Sequence, residues 1–128
     1  MHDLRTYDYA IVRVVPRVER GEFVNAGIIV SCDVERILQA SVELDEAALL
    51  ALDAGVDLEL VRTALAAIPV ICAGGTDAGA IGKLSARERF HWLVSPKSTI
   101  VQTSPVHTGQ CGDLQRALQH LMNSMIRR

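Results

Sequence analysis

Leu38, Ala40, Val42 and Leu44 alternate with Gln39, Ser41 and Glu43. A period of two suits only an extended chain, whose successive side chains point to opposite faces, so this stretch is predicted to be a strand with one buried and one wet face. A strand needs partners, and two candidates precede it. The run "YDYAIVRVV", residues 7–15, is rich in aromatic and β-branched residues and stops at Pro16, which cannot donate to a sheet ladder. The run "FVNAGIIVS", residues 23–31, is interrupted by Asn25 and Gly27, which predict a bulge or a close backbone approach. Short connections, "PRVERGE" and "CDVER", make an antiparallel meander the expected arrangement.

Helices to cover the meander are expected next. Asp45 can cap one helix that runs to about residue 53, and Asp57 can cap another whose Leu58, Val61, Leu65 and Ile68 follow helical spacing. Pro69 should kink or end that helix. "AGGTDAGAIG" reads as a glycine-rich surface loop. Ser85 and Glu88 make a capping-box pattern, expected to open one helical turn before "FHWLV" extends as a strand. Asp113 caps the last helix, in which Leu114, Leu118, Leu121, Met122, Met125 and Ile126 form one apolar stripe, and Arg127 and Arg128 suit its negative end. The expectation is an α+β fold: an antiparallel sheet of about five strands with helices packed on one face, in a single domain over residues 1–128 with its core at about 7–127.

Composition narrows the function classes. With 128 residues, 49% of them hydrophobic, the chain can bury a self-sufficient core. Thirteen Lys and Arg against fifteen Asp and Glu leave a net charge of −2, which lacks the basic excess of a nucleic-acid binder. Tyr7, Tyr9 and Arg13 are the one place where aromatic and basic residues interleave, and a strand explains them. Cys32, Cys72 and Cys111 show neither paired spacing nor an even count, so a reducing compartment is the simpler reading. The start "MHDLRTYDYA" has no apolar signal core, and the apolar runs fall short of the roughly 20 residues of a spanning helix. A soluble cytoplasmic protein without a membrane partner is expected.

Motifs for chemistry are weak. Gly82 and Lys83 echo the end of a phosphate loop, but Asp77 stands where a glycine is required and Leu84 where a hydroxyl is. "HTGQCGD" leads into the last helix, whose free amides would welcome an anion, yet Asp113 competes there. Ser104, His107, Thr108 and Cys111 lie close in sequence without a nucleophile elbow. His91, His107 and Cys111 could reach a metal only across strands, since Gly109 argues against helical alignment of the last two; no metal and no cofactor is expected. His2 reads as a terminal residue and His120 as a solvated helix residue. Asp45 with Glu46 suits a helix start, and Glu19 with Glu22 a charged turn.

The least ordinary stretch is "SPKSTIVQTSPVHTG", residues 95–109. As a strand, "STIVQT" has two mixed faces, which suits a sheet edge. Such an edge could accept a partner strand, while Lys97, Thr103, Ser104, His107 and Thr108 offer polar groups to a ligand. The plainer alternative is an exposed strand whose hydroxyls cap turns at Pro96 and Pro105.

"YDYAIVRVVPRVERGEFVNAGIIV", "VELDEAAL", "AGGTDAGAIG" and "RERFHWLVSPKSTIVQTSPVHTG", in this order, resemble the bacterial domain of unknown function DUF3037 over nearly the whole chain. The resemblance brings no established activity. It implies functional weight at Asn25 and Gly27, and at Thr103, Ser104, His107 and Thr108, and it implies a HipA-like kinase-fold protein as partner. Pro69 in "AAIPVICAGG" departs from the continuous helix the family suggests. The expected function is a non-enzymatic interaction module that uses the polar stretch, with Asn25, to bind a protein. The alternatives are a small enzyme or a nucleotide- or anion-binding domain, with His107 as base or phosphate ligand, and a homodimer formed through an edge strand or the Met122 and Met125 face.

Overall fold

The computed structural model describes residues 3–127. The readings of His2 and of Arg128 fall outside the described residues.

The chain runs β1 (Arg5–Val14), β2 (Val24–Cys32), β3 (Ile37–Val42), α1 (Glu46–Leu52), α2 (Leu58–Ala73), α3 (Ala86–Val94), β4 (Val101–Thr103), β5 (His107–Cys111) and α4 (Leu114–Met125). The five strands form one antiparallel sheet in the order β3-β2-β1, with β4 and β5 both paired to the free side of β1. The meander and the α+β class follow the alternation and the turn spacing.

Gly27 explains the irregularity in β2. The pairing shifts between Val12↔Gly27 and Arg13↔Asn25, so Ala26 is an extra residue and β2 bulges there. The backbone also approaches β3 closely: a Cβ on Gly27 would lie 2.6 Å from the Ser41 carbonyl oxygen. Both features that the sequence offered as alternatives are present together.

The helices divide between the two faces. On one, α1, α2 and α3 bury Leu49, Val61, Leu65, Ile68, Phe90 and Leu93 against Val12, Val14, Ala26, Ile29 and Leu38. On the other, α4 lays Leu114, Leu118, Leu121 and Met122 over Tyr7, Ile28, Val30 and Cys32. The helices therefore do not all share one face, as the sequence had suggested. Sandwiching accounts for the unbroken "GIIV" of β2: Ile28, Ile29 and Val30 are each fully buried although neighbours point to opposite faces. Such a side chain contributes roughly 1.5–3 kcal/mol of transfer free energy. Met122 is also fully buried in this packing, so the stripe proposed as a dimer face serves the protein's own core.

Local capping is as the residue types dictate. Asp45, Asp57 and Asp113 accept from the Ala48, Leu60 and Gln115 amides. Ser85 and Glu88 complete the capping box. After that box the chain does not turn into a strand: "FHWLV" continues as α3 to Val94, because Phe90 and Leu93, three apart, reach the same core. Pro69 stays inside α2, which runs on to Ala73. The glycine-rich stretch is a 3-10 segment from Thr76 to Lys83 interrupted at Gly79, whose φ of 68° favours glycine. No single helix among the described residues is long and apolar enough to cross a membrane.

Candidate functional site

The polar stretch falls at the open edge of the sheet, and its two strand pieces are one edge strand broken in the middle. Val101–Thr103 pairs with Val12–Val14, and His107–Cys111 pairs with Arg5–Tyr9. Ser98 is irregular and Thr99 and Ile100 bend, so only half of "STIVQT" is strand. Pro105 sits in the break.

Ser104 repairs that break from within. Its amide donates to the Ile11 carbonyl at 2.9 Å, and its hydroxyl accepts from the Ile11 amide at 2.9 Å while donating to the Pro105 carbonyl. The hydroxyl thus stands in for a missing ladder carbonyl, and at 2% exposure it is closed to ligands.

Lys97 is likewise occupied. Its ammonium donates to the carbonyls of Trp92 at 2.8 Å, Leu93 at 3.1 Å and Ser95 at 3.2 Å, and lies 4.9 Å from the centre of the Trp92 ring. It closes the C-terminal end of α3. Burial lowers its pKa below the usual lysine value.

Thr103, His107 and Thr108 remain at the surface. Thr103 pairs with Val12 and lines a small apolar cleft with Trp92 and Ile71. His107 is exposed and packs on Tyr9 with ring centres 5.2 Å apart. Thr108 donates to Asp8, whose other carboxylate oxygen meets Arg87 at 2.8 Å, and Arg87 donates in turn to buried Ser31 at 3.1 Å. This chain of four polar groups ties β5 to β1, β1 to α3 and α3 to β2.

Asn25 does not join them. It pairs with Arg13 on the β2 side of β1, whereas His107 pairs with Tyr9 on the β5 side. Four residues of β1 separate the two positions, about 13 Å at the rise of an antiparallel strand. The site residues therefore fall into an edge group, Thr103, His107 and Thr108, two structural residues, Lys97 and Ser104, and a remote one, Asn25.

Two features had no signal in the sequence. The first is the Asp8–Arg87–Ser31 link, whose successive partners are 79 and 56 residues apart along the chain. The second is a cleft of about 870 Å³ between the start of β1, the end of β5 and the start of α4. Tyr7, Cys111, Gln39, Arg116 and His120 line it. Burial raises the Tyr7 phenol and the Cys111 thiol above their ordinary values, which keeps both protonated near neutral pH. Among the described residues no hydroxyl or thiol is hydrogen-bonded to a histidine ring, and no group of three metal-ligating side chains converges.

The sequence over residues 9–126 matches the model of a family described as protein of unknown function, DUF3037. The chain belongs to this family. The match takes in β1 from Tyr9 onward, β2, β3, both pieces of the edge strand and α4, while Arg5–Asp8, which pair with Thr108–Cys111, precede it. No curated protein and no solved structure matches the chain.

Proposed function

We propose that the protein is a non-catalytic interaction module whose open sheet edge receives an extended segment of a protein partner. The observation that carries this reading is the direction of the β5 backbone groups. The Ser104 amide donates to the Ile11 carbonyl and the Val15 amide to the Ile100 carbonyl, so odd-numbered β1 residues turn their backbone groups toward this edge. Their partners His107, Gly109 and Cys111 face inward, and Thr108 and Gln110 turn theirs outward. No further strand pairs there among the described residues. A row of outward amides and carbonyls is a template for strand addition, with exposed His107, stacked on Tyr9, as a recognition handle. The partner implied by the family resemblance is a HipA-like kinase-fold protein. Three unpaired cysteines support a reducing, cytoplasmic setting.

The test is titration of the purified protein against that kinase-fold protein. Gln110→Pro removes one outward N–H and leaves the ladder to β1 intact, so it is expected to weaken binding at least about ten-fold, or about 1.4 kcal/mol. Gln110→Ala, which keeps that N–H, is the control and is expected to bind as the parent does. Equal affinity for the parent and Gln110→Pro would sink the edge assignment. A stable dimer at micromolar concentration, abolished by Gln110→Pro, would instead make a second copy of this chain the occupant.

A further inference from the structure

Tyr7 lines the cleft of about 870 Å³ beside α4 and is itself only 8% exposed. Gly109, opposite it on β5, makes that possible: the Tyr7 ring crosses over the glycine, where an added Cβ would stand 2.9 Å from both Cζ and Oη. The Tyr7 hydroxyl makes no hydrogen bond with any described residue, although its neighbours do. Arg5 donates to the Gly112 carbonyl at 2.8 Å, and the Cys32 thiol to the Thr6 carbonyl at 3.7 Å. Burial raises the phenol pKa, so near neutral pH the group is a donor without an acceptor.

Charges around the cleft balance. Arg5 and Arg116 line it together with Glu35 and Asp113. Glu35 pairs with Arg5, and the Asp113 carboxylate accepts from the Gln115 and Arg116 amides at 3.0 and 3.4 Å. An ion of either sign therefore meets its own charge here, which favours an uncharged ligand. The uncommitted polar groups beside Tyr7 are also neutral: the side-chain amides of Gln39 and Gln115, neither of them bonded to a described residue. Each presents a donor and an acceptor side by side. Ile37 and Ala117 add apolar wall, and Leu4 lies along it 67% exposed. The volume falls in the range of small-molecule sites, about 300–1,000 Å³.

We propose that this cleft binds a small uncharged ring compound bearing an amide or lactam, whose carbonyl oxygen accepts from the Tyr7 hydroxyl. The N–H beside that carbonyl donates to a glutamine side-chain oxygen of the wall, and the ring covers the apolar part of the lining. The site lies at the far end of β5 from His107 and does not depend on strand addition at the edge.

The test follows the backbone amides of Tyr7, Cys111 and Leu114 in a ¹H–¹⁵N spectrum of the full chain during titration with hypoxanthine, benzamide or purine. Hypoxanthine carries a lactam in its ring and benzamide an amide outside it, so whichever saturates tells the two arrangements apart. Purine has the hypoxanthine ring frame without the carbonyl and is expected to bind at least about ten-fold more weakly than the better of the two. Tyr7→Phe keeps the ring over Gly109 and removes only the hydroxyl. It is expected to fold as the parent does, to weaken that compound at least about ten-fold and to leave purine unchanged. Occupancy is read independently from iodoacetamide, which should modify Cys111 more slowly under a saturating carbonyl compound. No saturable shift at millimolar hypoxanthine or benzamide, purine binding as tightly as both, undiminished binding in folded Tyr7→Phe, or an unprotected Cys111 would overturn the assignment.

Discussion

Ser104 and Ile11 exchange two hydrogen bonds, one of them through the serine hydroxyl, and so hold the sheet's edge strand together where Pro105 interrupts it. Ser104→Ala leaves the half-buried Ile11 amide without an acceptor. The expected loss is about 1–3 kcal/mol of unfolding free energy. Urea unfolding measures it, and a loss under about 0.5 kcal/mol would show that the hydroxyl does not bridge the break.

Gly27 sits at the bulge with its Cα facing the backbone of β3. A methyl group there would meet the Ser41 carbonyl oxygen at 2.6 Å and the Val42 side chain at 2.9 Å. Neither strand can move without disturbing the core beneath, so Gly27→Ala is expected to cost about 1–3 kcal/mol through overpacking. Gly21 is the contrasting site: nothing lies within 4 Å of its added Cβ, and its φ of 69° makes Gly21→Ala a test of backbone strain alone. Thermal unfolding of the two variants separates steric from conformational cost.

Sequence periodicity carried the meander, the bulge and three aspartate caps, because each depends on residues close together in the chain. It misjudged "FHWLV", where short-range β propensity competes with a capping box and the helical spacing of Phe90 and Leu93 decides. It could not assign α4 to the second face, since the stripe shows that a face is buried and not against which side of a sheet. In the polar stretch, residue type pointed equally to Lys97, Ser104 and His107. Tertiary contacts distinguish them: two are consumed by α3 and β1, and the third is left exposed.

Cys72 lies at the core end of α2, and burial pushes its thiol up to about 12. It is therefore expected to resist iodoacetamide at pH 8 in the folded protein, while half-buried Cys111 is modified first. Because the folded pKa is raised above the unfolded value of 9.0, the stabilising contribution is complete below pH 9 and is lost as pH rises toward 12. Intact-mass analysis over time orders the sites. Cys72 reacting as fast as Cys111 would mean that α2 opens locally.

Glu88 reaches back to the Ser85 amide, and that backbone bond, with the serine hydroxyl, holds its carboxyl below the ordinary glutamate value. A lowered folded pKa stabilises above the unfolded pKa and loses that contribution as pH falls through the folded one. The start of α3 is thus expected to fray on acidification, and Glu88→Gln to remove the effect. Carboxyl ¹³C shifts across an acid titration report it directly; a Glu88 midpoint at or above 4.5 would contradict the capping box.

Lys97 decides how binding experiments at this edge are to be interpreted. Its ammonium serves three carbonyls at the end of α3 and covers Trp92, so Lys97→Ala is expected to lower stability by about 1 kcal/mol. His107 makes no hydrogen bond through its ring and only packs on Tyr9, so His107→Ala is expected to change stability by less than about 0.5 kcal/mol. A double Lys97→Ala, His107→Ala variant that loses a partner would therefore mix a structural defect with a recognition defect. Lys97→Met, which keeps the stem against Trp92 and removes the donors, separates them. If it destabilises α3 without changing affinity while His107→Ala weakens binding in a fully stable protein, recognition belongs to the β5 edge. The reverse pattern would place it at the end of α3.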